Sequence, residues 1–463
     1  MQVPRYLALL ACGIALCYFC RSPAEMTADD RVKSRGKFGY DPLAEFIEFD
    51  PLYKTKHARY VSELEDLQRD LAQQSAKGRV TPCSRQLFLE ARWLVFYSAH
   101  WDQMEERLGA LREMLARPAD PSDAREQVAE DGSFDHCSHA WFLKLDSTIE
   151  EVEFRTEKGE KIRYPLKLLD RVNSPEKLRA YLESLLASEV RKTGIDNRFE
   201  LNIAITAIER FIVGHVATDY PFHPDLRRAL FDFEDQVWQD PSTGFFGGSY
   251  RLPDGSVRKT ADLSVTFHIV SYRRRSIRHI PEMMRTLLAM KNEEYPFGWM
   301  EKRVPSNHHN YDVVRLFRIG WPYMSEDQRK EARAEMHRMM DFCLHETMNP
   351  DGSFKMMDED TLGSSYLFPV SLLNELGYFR PSLRFWTDES FPKSMDVARR
   401  IEARIRAMHL TDTESAKVLR RFEEARLELR IRWAIQFGMV VAGCLFAWLL
   451  WLAWRFVRRH RAD

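Results

Sequence analysis

The sequence contains little cysteine. Only seven of its 463 residues are cysteine, and four of these lie in the two hydrophobic ends of the chain. The other three, Cys83, Cys137 and Cys343, are an odd number without a CxxC pair. This pattern argues against a disulfide framework and against a structural zinc site built from clustered cysteines. With 44% hydrophobic residues, the chain can instead bury a sizeable core.

The chain also lacks an excess of charge of either sign. Its 68 basic and 69 acidic side chains leave a formal charge of −1. Because nucleic-acid binding depends on a positive field around the protein, no nucleic-acid partner is expected. No Asn-x-Ser/Thr glycosylation acceptor occurs, which is compatible with a bacterial envelope protein.

Long hydrophobic runs are confined to the two ends. Residues 434–454 contain one strongly polar side chain, Gln436, and are long enough to cross a bilayer as a helix. Residues 1–24 contain a shorter apolar run, whose length is typical of a signal peptide or an N-terminal anchor. An exported start places the main domain outside the cytoplasm, in the periplasm or at the cell surface. The basic tail, 455–463, is then cytoplasmic.

Between these ends, apolar residues recur mainly at helical spacing. Residues 25–84 are predicted as an N-terminal helical segment, and 391–433, charged and nearly free of glycine and proline, as a helical stalk. The only strand-like stretch is 147–166, where β-branched and aromatic residues flank an "EKGEK" turn. We predict a small β-hairpin there.

A repeated turn marks the region 85–390. Glycine lies beside an aromatic residue at Gly244, Gly298 and near Gly352, at intervals of 54 residues. A polar loop and an apolar helix follow each turn. Because a helical hairpin cannot bury its own apolar face, such units must stack. The repeat predicts an all-α fold in which 85–390 form an α/α toroid. If the turn at Gly298 needs positive φ, substitution by valine should destabilise the fold.

One segment of the repeat, "FDFEDQVWQDPSTGFFGG", resembles a loose QW-type motif, with Gln236 followed by Gly244 and Phe245. Over residues 190–390 the chain is similar to the α/α-toroid superfamily. This superfamily includes terpenoid cyclases, protein prenyltransferase β subunits and six-hairpin carbohydrate-active enzymes. The resemblance implies the architecture and leaves the chemistry open. The chain lacks the DxDD and DDxxD motifs of terpenoid enzymes and the cysteine-containing zinc ligands of prenyltransferases, so terpenoid or prenyl chemistry is disfavoured.

Functional side chains are expected at the mouth of the toroid, where the N-termini of the inner helices converge. The candidate catalytic residues are His308, His309, Asp312, Asp262, His268 and Tyr311. The candidate substrate contacts are Tyr366, Asn310, Trp299, Phe246 and Tyr250. Two adjacent imidazoles are unfavourable to bury without partners, which favours a functional role for them. Capping of a helix is the alternative role for Asp262 and Asp312, and core packing is the alternative for His268.

The grouping of histidine, asparagine and tyrosine favours proton abstraction, as in a polysaccharide lyase or a uronate epimerase. A glycoside hydrolase would need two carboxylates, drawn from Asp262, Asp312 or the acidic run at 358–360. No cofactor is predicted, and a divalent metal held by the histidines and an aspartate is a weaker alternative.

We therefore expect a membrane-anchored, extracytoplasmic enzyme that modifies a glycan or polysaccharide of the cell envelope. The alternative is a non-catalytic scaffold that binds a glycan or a protein within an envelope complex, because fold does not decide function.

Overall fold

The computed structural model describes residues 37–43, 51–76, 80–117, 126–273, 276–355, 363–410 and 413–460. The predicted signal peptide or anchor at 1–24 and the acidic run at 358–360 lie outside these residues. The structure is 65% helix and 4% strand. The predicted helical class is therefore confirmed.

The described residues form a series of α-helices, with very short strands at three places between α5 and α11. The helices are α1 (Pro51–Ala76), α2 (Pro82–Tyr97), α3 (Trp101–Ala116), α4 (Trp141–Glu157), α5 (Pro175–Leu186), α6 (Val190–Thr193), α7 (Arg198–Val213), α8 (Leu226–Phe233), α9 (Leu263–Tyr272), α10 (Ile280–Ala289), α11 (Asn307–Gly320), α12 (Glu326–Asp341), α13 (Ser364–Glu375), α14 (Ser394–Ala407) and α15 (Thr413–His460). The strands are β1 (Ala187–Ser188), β2 (Ser249–Arg251), β3 (Val257–Lys259), β4 (Met300–Glu301) and β5 (Val304–Pro305). β2 pairs with β1 in parallel and with β3 antiparallel, and β4 pairs antiparallel with β5.

The chain divides into two compact units, with the boundary between Ala332 and Arg333 inside α12. The first unit holds α1 to α11, and the second holds α13 to α15.

Helical hairpins stack side by side in the first unit. α4, α7, α9 and α11 form a row in which each helix packs against the next, although each is separated from the next in sequence. Two later members of the row are each paired with an earlier helix: α5 packs on α7, and α10 packs on α11. α8, which precedes α9, packs on α5 and α7. The stacked hairpins that the repeat predicts are therefore present in part. Closure of the hairpins into a toroid stays a prediction.

The predicted β-hairpin at 147–166 is wrong, because most of this stretch belongs to α4. Phe142, Leu145, Ile149 and Val152 are buried and recur every three or four residues. This spacing places them on one face of a helix. Burial of that face outweighs the strand preference of the β-branched and aromatic residues.

Glycine is required at the three turns for different structural reasons. Gly244 (φ +71°) and Gly352 (φ +87°) adopt left-handed backbone, which favours glycine. Gly298 is not among the residues at positive φ, so its turn does not need glycine for that reason. Instead, the backbone of Glu293 approaches so closely that a Cβ atom on Gly298 would lie 2.0 Å from the Glu293 carbonyl oxygen.

Substituting Gly298 by alanine should therefore destabilise the first unit, by about 1–3 kcal/mol, because the new methyl group overpacks against the backbone. The matched control is Gly109→Ala in α3, where an added Cβ atom meets nothing within 4 Å. That change should stabilise the helix slightly. Chemical denaturation of both variants checks the prediction, and equal effects at the two positions would contradict it.

A pair of buried carboxyl groups lies in the first unit, on α7 and after α8. Glu209 and Glu234 are both fully buried, and Arg273 Nη1 lies 3.2 Å from Glu234 Oε2 and 2.6 Å from Asp235 Oδ1. Burial raises the pKa of Glu209 to about 7. Burial and the neighbouring Glu209 carboxylate raise the pKa of Glu234 well above its ordinary value. The pair therefore retains protons in the folded protein that the unfolded chain has lost.

This proton uptake makes stability depend on pH. The raised pKa of Glu209 means that its protonated form stabilises the folded protein. This stabilisation is fully present below about pH 4.5 and is lost as the pH rises through about 7. Across that window the free energy of unfolding should fall by up to about 1.4 kcal/mol per pH unit for each proton. Glu209→Gln should flatten the dependence, whereas Glu113→Gln, at an exposed ion pair, should leave it unchanged. Urea titrations across this pH range test both variants.

The second unit is built around the first half of α15. α13 and α14 both pack on α15, where Val418, Phe422 and Ala425 are buried. Arg380 forms ion pairs with Glu424 and Glu428 of the same helix. The region predicted as a stalk thus contains α14 and the start of α15, packed within this unit.

Beyond its packed first half, α15 is apolar and exposed as far as Leu452. The stretch Glu414–Leu452 is long and apolar enough to cross a membrane, and its most hydrophobic window is 0% buried. The structure thus has a helix across 434–454 that, by length and composition, could span a membrane.

Candidate functional site

The two adjacent histidines lie in the first turn of α11, after the N-cap residue Ser306. Successive residues on an α-helix point about 100° apart, so the two rings face different surroundings. The His308 side chain is 38% exposed, whereas that of His309 is 5% exposed. Only His308 therefore reaches solvent.

His309 packs against an aromatic side chain. Its imidazole stacks on the Tyr295 ring, with the centroids 3.6 Å apart and the planes 2° from parallel. Its Nε2 atom lies 3.4 Å from Glu301 Oε2. Burial lowers the pKa of His309 well below its ordinary value, so the ring is neutral.

His308 lies one turn before Asp312, with its Nε2 atom 4.0 Å from Asp312 Oδ2. Surrounding protein, together with the Arg92 guanidinium, lowers the pKa of His308 to about 4 although the side chain keeps partial contact with solvent. Asp312 is buried, and this burial raises its pKa well above its ordinary value against the opposing effect of the Tyr295 hydroxyl. The His308 imidazole is therefore neutral at neutral pH, and burial favours the protonated form of the neighbouring Asp312 carboxyl group.

His308 belongs to a set of half-exposed side chains that runs across the row of helices. On each helix these residues recur every three or four positions, and the residues between them are mostly buried. We call this set the polar stripe: Glu150 and Glu153 on α4; Asn202, Thr206 and Arg210 on α7; His268 and Tyr272 on α9; and His308, Tyr311 and Arg315 on α11.

Contacts between helices show that the polar stripe is one surface. Arg210 Nη2 donates to Glu153 Oε2 at 2.8 Å. Burial, His308 and Arg210 together lower the pKa of His268 to about 3. The polar stripe thus carries acids on α4, a guanidinium on α7 and imidazoles on α9 and α11.

Several buried polar atoms near this surface have no hydrogen-bond partner among the described residues. They are Asn202 Oδ1 on α7, His268 Nδ1 on α9 and Asn310 Nδ2 on α11. More than nine in ten buried polar groups in proteins are hydrogen-bonded. This concentration along α7, α9 and α11 therefore marks the surface as a candidate site for a ligand rich in hydroxyl groups.

Asp262, predicted as catalytic, is instead held by structural contacts. Its carboxylate accepts a hydrogen bond from the Val265 N–H at 3.0 Å, which caps α9. The same carboxylate accepts two hydrogen bonds from Arg198, at 2.5 and 3.2 Å. These contacts support the capping interpretation and leave the fully buried carboxylate without access to a substrate.

The candidate substrate contacts are also mostly enclosed. Phe246, Tyr250 and Trp299 are buried in the first unit. Tyr366 is buried in the second unit, where it packs edge-on against Phe354. Asn310 is buried beside the site, and Tyr311 joins the polar stripe.

The sequence reasoning missed Tyr295 and Arg210. Tyr295 precedes a glycine turn, and Arg210 lies in an apolar helix, so neither belongs to a recognisable motif.

The expectation that the body cysteines form no disulfide is wrong. Cys83 and Cys137 are bonded, with their Cα atoms 5.5 Å apart. They are separated by 54 residues, and the pair becomes visible only when α2 packs beside the loop that precedes α4.

Comparison of the chain with protein-family models, with curated proteins and with solved structures finds no match.

Proposed function

We propose that the chain is a membrane-anchored, extracytoplasmic α/α-toroid enzyme that modifies an acidic polysaccharide by proton abstraction, as a lyase or an epimerase. The observation that carries the proposal is the neutral, half-exposed His308 on the polar stripe, one turn from the buried Asp312 carboxyl group. The neutral imidazole has an unprotonated nitrogen that can accept a proton at neutral pH, and its pKa of about 4 makes it a weaker base than an unperturbed histidine.

The surrounding side chains fit the remaining steps. His308 Nε2 would remove the proton next to a uronate carboxylate, and the positive charge of Arg210 or Arg315 would stabilise the resulting enolate. In a lyase, the Tyr311 hydroxyl would protonate the departing glycosidic oxygen as its bond to carbon breaks. In an epimerase, the same hydroxyl would return a proton to the opposite face of that carbon.

Hydrolysis is less well supported. It requires two carboxyl groups that both reach the glycosidic bond. Asp262 is occupied by Arg198 and by the cap of α9, and Asp312 is buried. Neither of these aspartates is therefore positioned to act as the acid or the base in hydrolysis.

Two features support the proposed location. The apolar part of α15 can serve as the anchor. A disulfide such as Cys83–Cys137 persists mainly in oxidising compartments, as expected for an exported body.

A substrate panel tests the proposal. The purified full chain in detergent is incubated with uronate-containing and neutral polysaccharides, with and without a chelator. A lyase yields an unsaturated product that absorbs in the ultraviolet, and an epimerase exchanges the α-proton for deuterium. The proposal expects one of these signals with an acidic polysaccharide and none with neutral ones. Binding without turnover across the panel would favour a scaffold.

A further inference from the structure

We propose that Cys83, Cys137 and His136 form a second, redox-gated site that binds a thiophilic divalent metal ion such as zinc once the disulfide is reduced. The site is separate from the polar stripe in its residues and chemistry. It uses the first turn of α2 and the loop that precedes α4.

The three side chains already meet the spacing of a metal site. Their ligand atoms lie within 4.8 Å of one another, and Cys83 Sγ is 3.5 Å from His136 Nε2. In a tetrahedral zinc site, with Zn–S near 2.3 Å and Zn–N near 2.0–2.1 Å, a sulfur and a nitrogen ligand lie about 3.6 Å apart. The separation of Cys83 Sγ and His136 Nε2 therefore already matches that of two zinc ligands before any ion binds.

The loop that carries His136 and Cys137 is held by contacts other than the disulfide. The Asp135 carboxylate accepts hydrogen bonds from the Cys137 and Ser138 N–H groups at 2.8 and 2.9 Å. The Glu90 carboxylate of α2 accepts hydrogen bonds from the next two N–H groups of the loop, both at 2.9 Å. These bonds tie the loop to α2, so the two thiols stay close when the disulfide is broken.

The site is also accessible and chemically suited to metal binding. His136 is exposed, Cys137 is half-buried and Cys83 is buried, so an ion can enter from the histidine side. Cys83 lies at the N-terminus of α2, where the helix dipole favours a thiolate.

Gating follows from the stoichiometry of the thiol chemistry. A dithiol reductant delivers two electrons and two protons to the disulfide, becomes a disulfide itself, and leaves two protein thiols. The metal ion then displaces both thiol protons and binds two thiolates and the neutral His136 imidazole. Three protein ligands leave a fourth position for water or another ligand.

Cobalt(II) is the probe, because its thiolate complexes absorb by charge transfer. The full chain in detergent is reduced with a phosphine, which does not compete for the metal, and is titrated anaerobically with cobalt(II). We expect a thiolate-to-cobalt band in the reduced protein and none in the oxidised protein. Cys83→Ser and Cys137→Ser should each abolish it, and zinc should displace the cobalt.

His136→Ala keeps the test decisive if the cysteine variants fail to fold, because His136 is exposed and its loss should not disturb the core. This variant should weaken cobalt binding about 10-fold or more and shift the visible ligand-field bands as one nitrogen ligand is lost. Cys343→Ser is the matched control and should change neither signal. A band that persists in Cys83→Ser, an unchanged spectrum in His136→Ala, or no band in the reduced protein would overturn the proposal.

Discussion

His308→Ala should reduce turnover of an acidic polysaccharide about 10²–10⁴-fold, the usual effect of losing a general base, with little change in melting temperature. The His308 side chain is 38% exposed and lies on the polar stripe, so its removal leaves no large cavity. His309→Ala should have the opposite profile. It deletes a buried ring that stacks on Tyr295, and we expect a loss of about 2–4 kcal/mol in the free energy of unfolding.

Parallel rate and denaturation measurements on the two variants separate these roles. His337→Ala is the control, because its side chain is 40% exposed, close to the value for His308, and it lies in the second unit. Asp312→Asn should retain the fold and lower the rate, since an amide cannot exchange a proton with the imidazole. Full activity in His308→Ala would refute the assignment of the base.

Arg198→Met should lower the free energy of unfolding of the first unit by about 3–5 kcal/mol, the cost of leaving one member of a buried ion pair alone. Arg198 holds Asp262 through two hydrogen bonds and also donates to the Tyr97 hydroxyl at 3.1 Å. Without the guanidinium, the Asp262 carboxylate at the start of α9 is buried and uncompensated.

Two further variants identify the cause. Adding Asp262→Asn to Arg198→Met removes the stranded charge while an amide oxygen can still cap α9, so part of the lost stability should return. Arg59→Met breaks an exposed pair with Glu105 and should change stability by less than about 1 kcal/mol. If Arg198→Met and Arg59→Met lowered the free energy of unfolding equally, burial of the Arg198–Asp262 pair would not explain the effect.

Local signals predicted the helices well. The apolar helices that follow the glycine turns are properties of short stretches of chain, and the structure has α9 and α11 there. The same local reasoning fails at α4, where β-branched and aromatic composition favours a strand although the apolar residues recur at helical spacing. The strand preference of these residue types is opposed by the energy gained when one helix face is buried. Which face is buried is known only from the fold.

The candidate site depends on contacts that no local pattern contains. Asp262 pairs with Arg198, which lies 64 residues away, and Tyr295 reaches His309 from outside the helix. The orientation of the two imidazoles follows from which face of α11 packs against α9 and α10. The sequence could therefore identify the pair of histidines and could not choose between them.

The unbroken course of α15 has a mechanical consequence. Glu428 still bonds to Ser382 and Arg380 of the second unit, and the apolar segment begins at Ala434, only six residues further on. At 1.5 Å per residue this is a rise of about 9 Å. If the apolar segment crosses a bilayer, a continuous helix and no flexible linker joins the second unit to the membrane. The distance of the unit from the lipid is then set by the length of that helical segment, and any tilt or rotation of the helix in the membrane turns the unit with it.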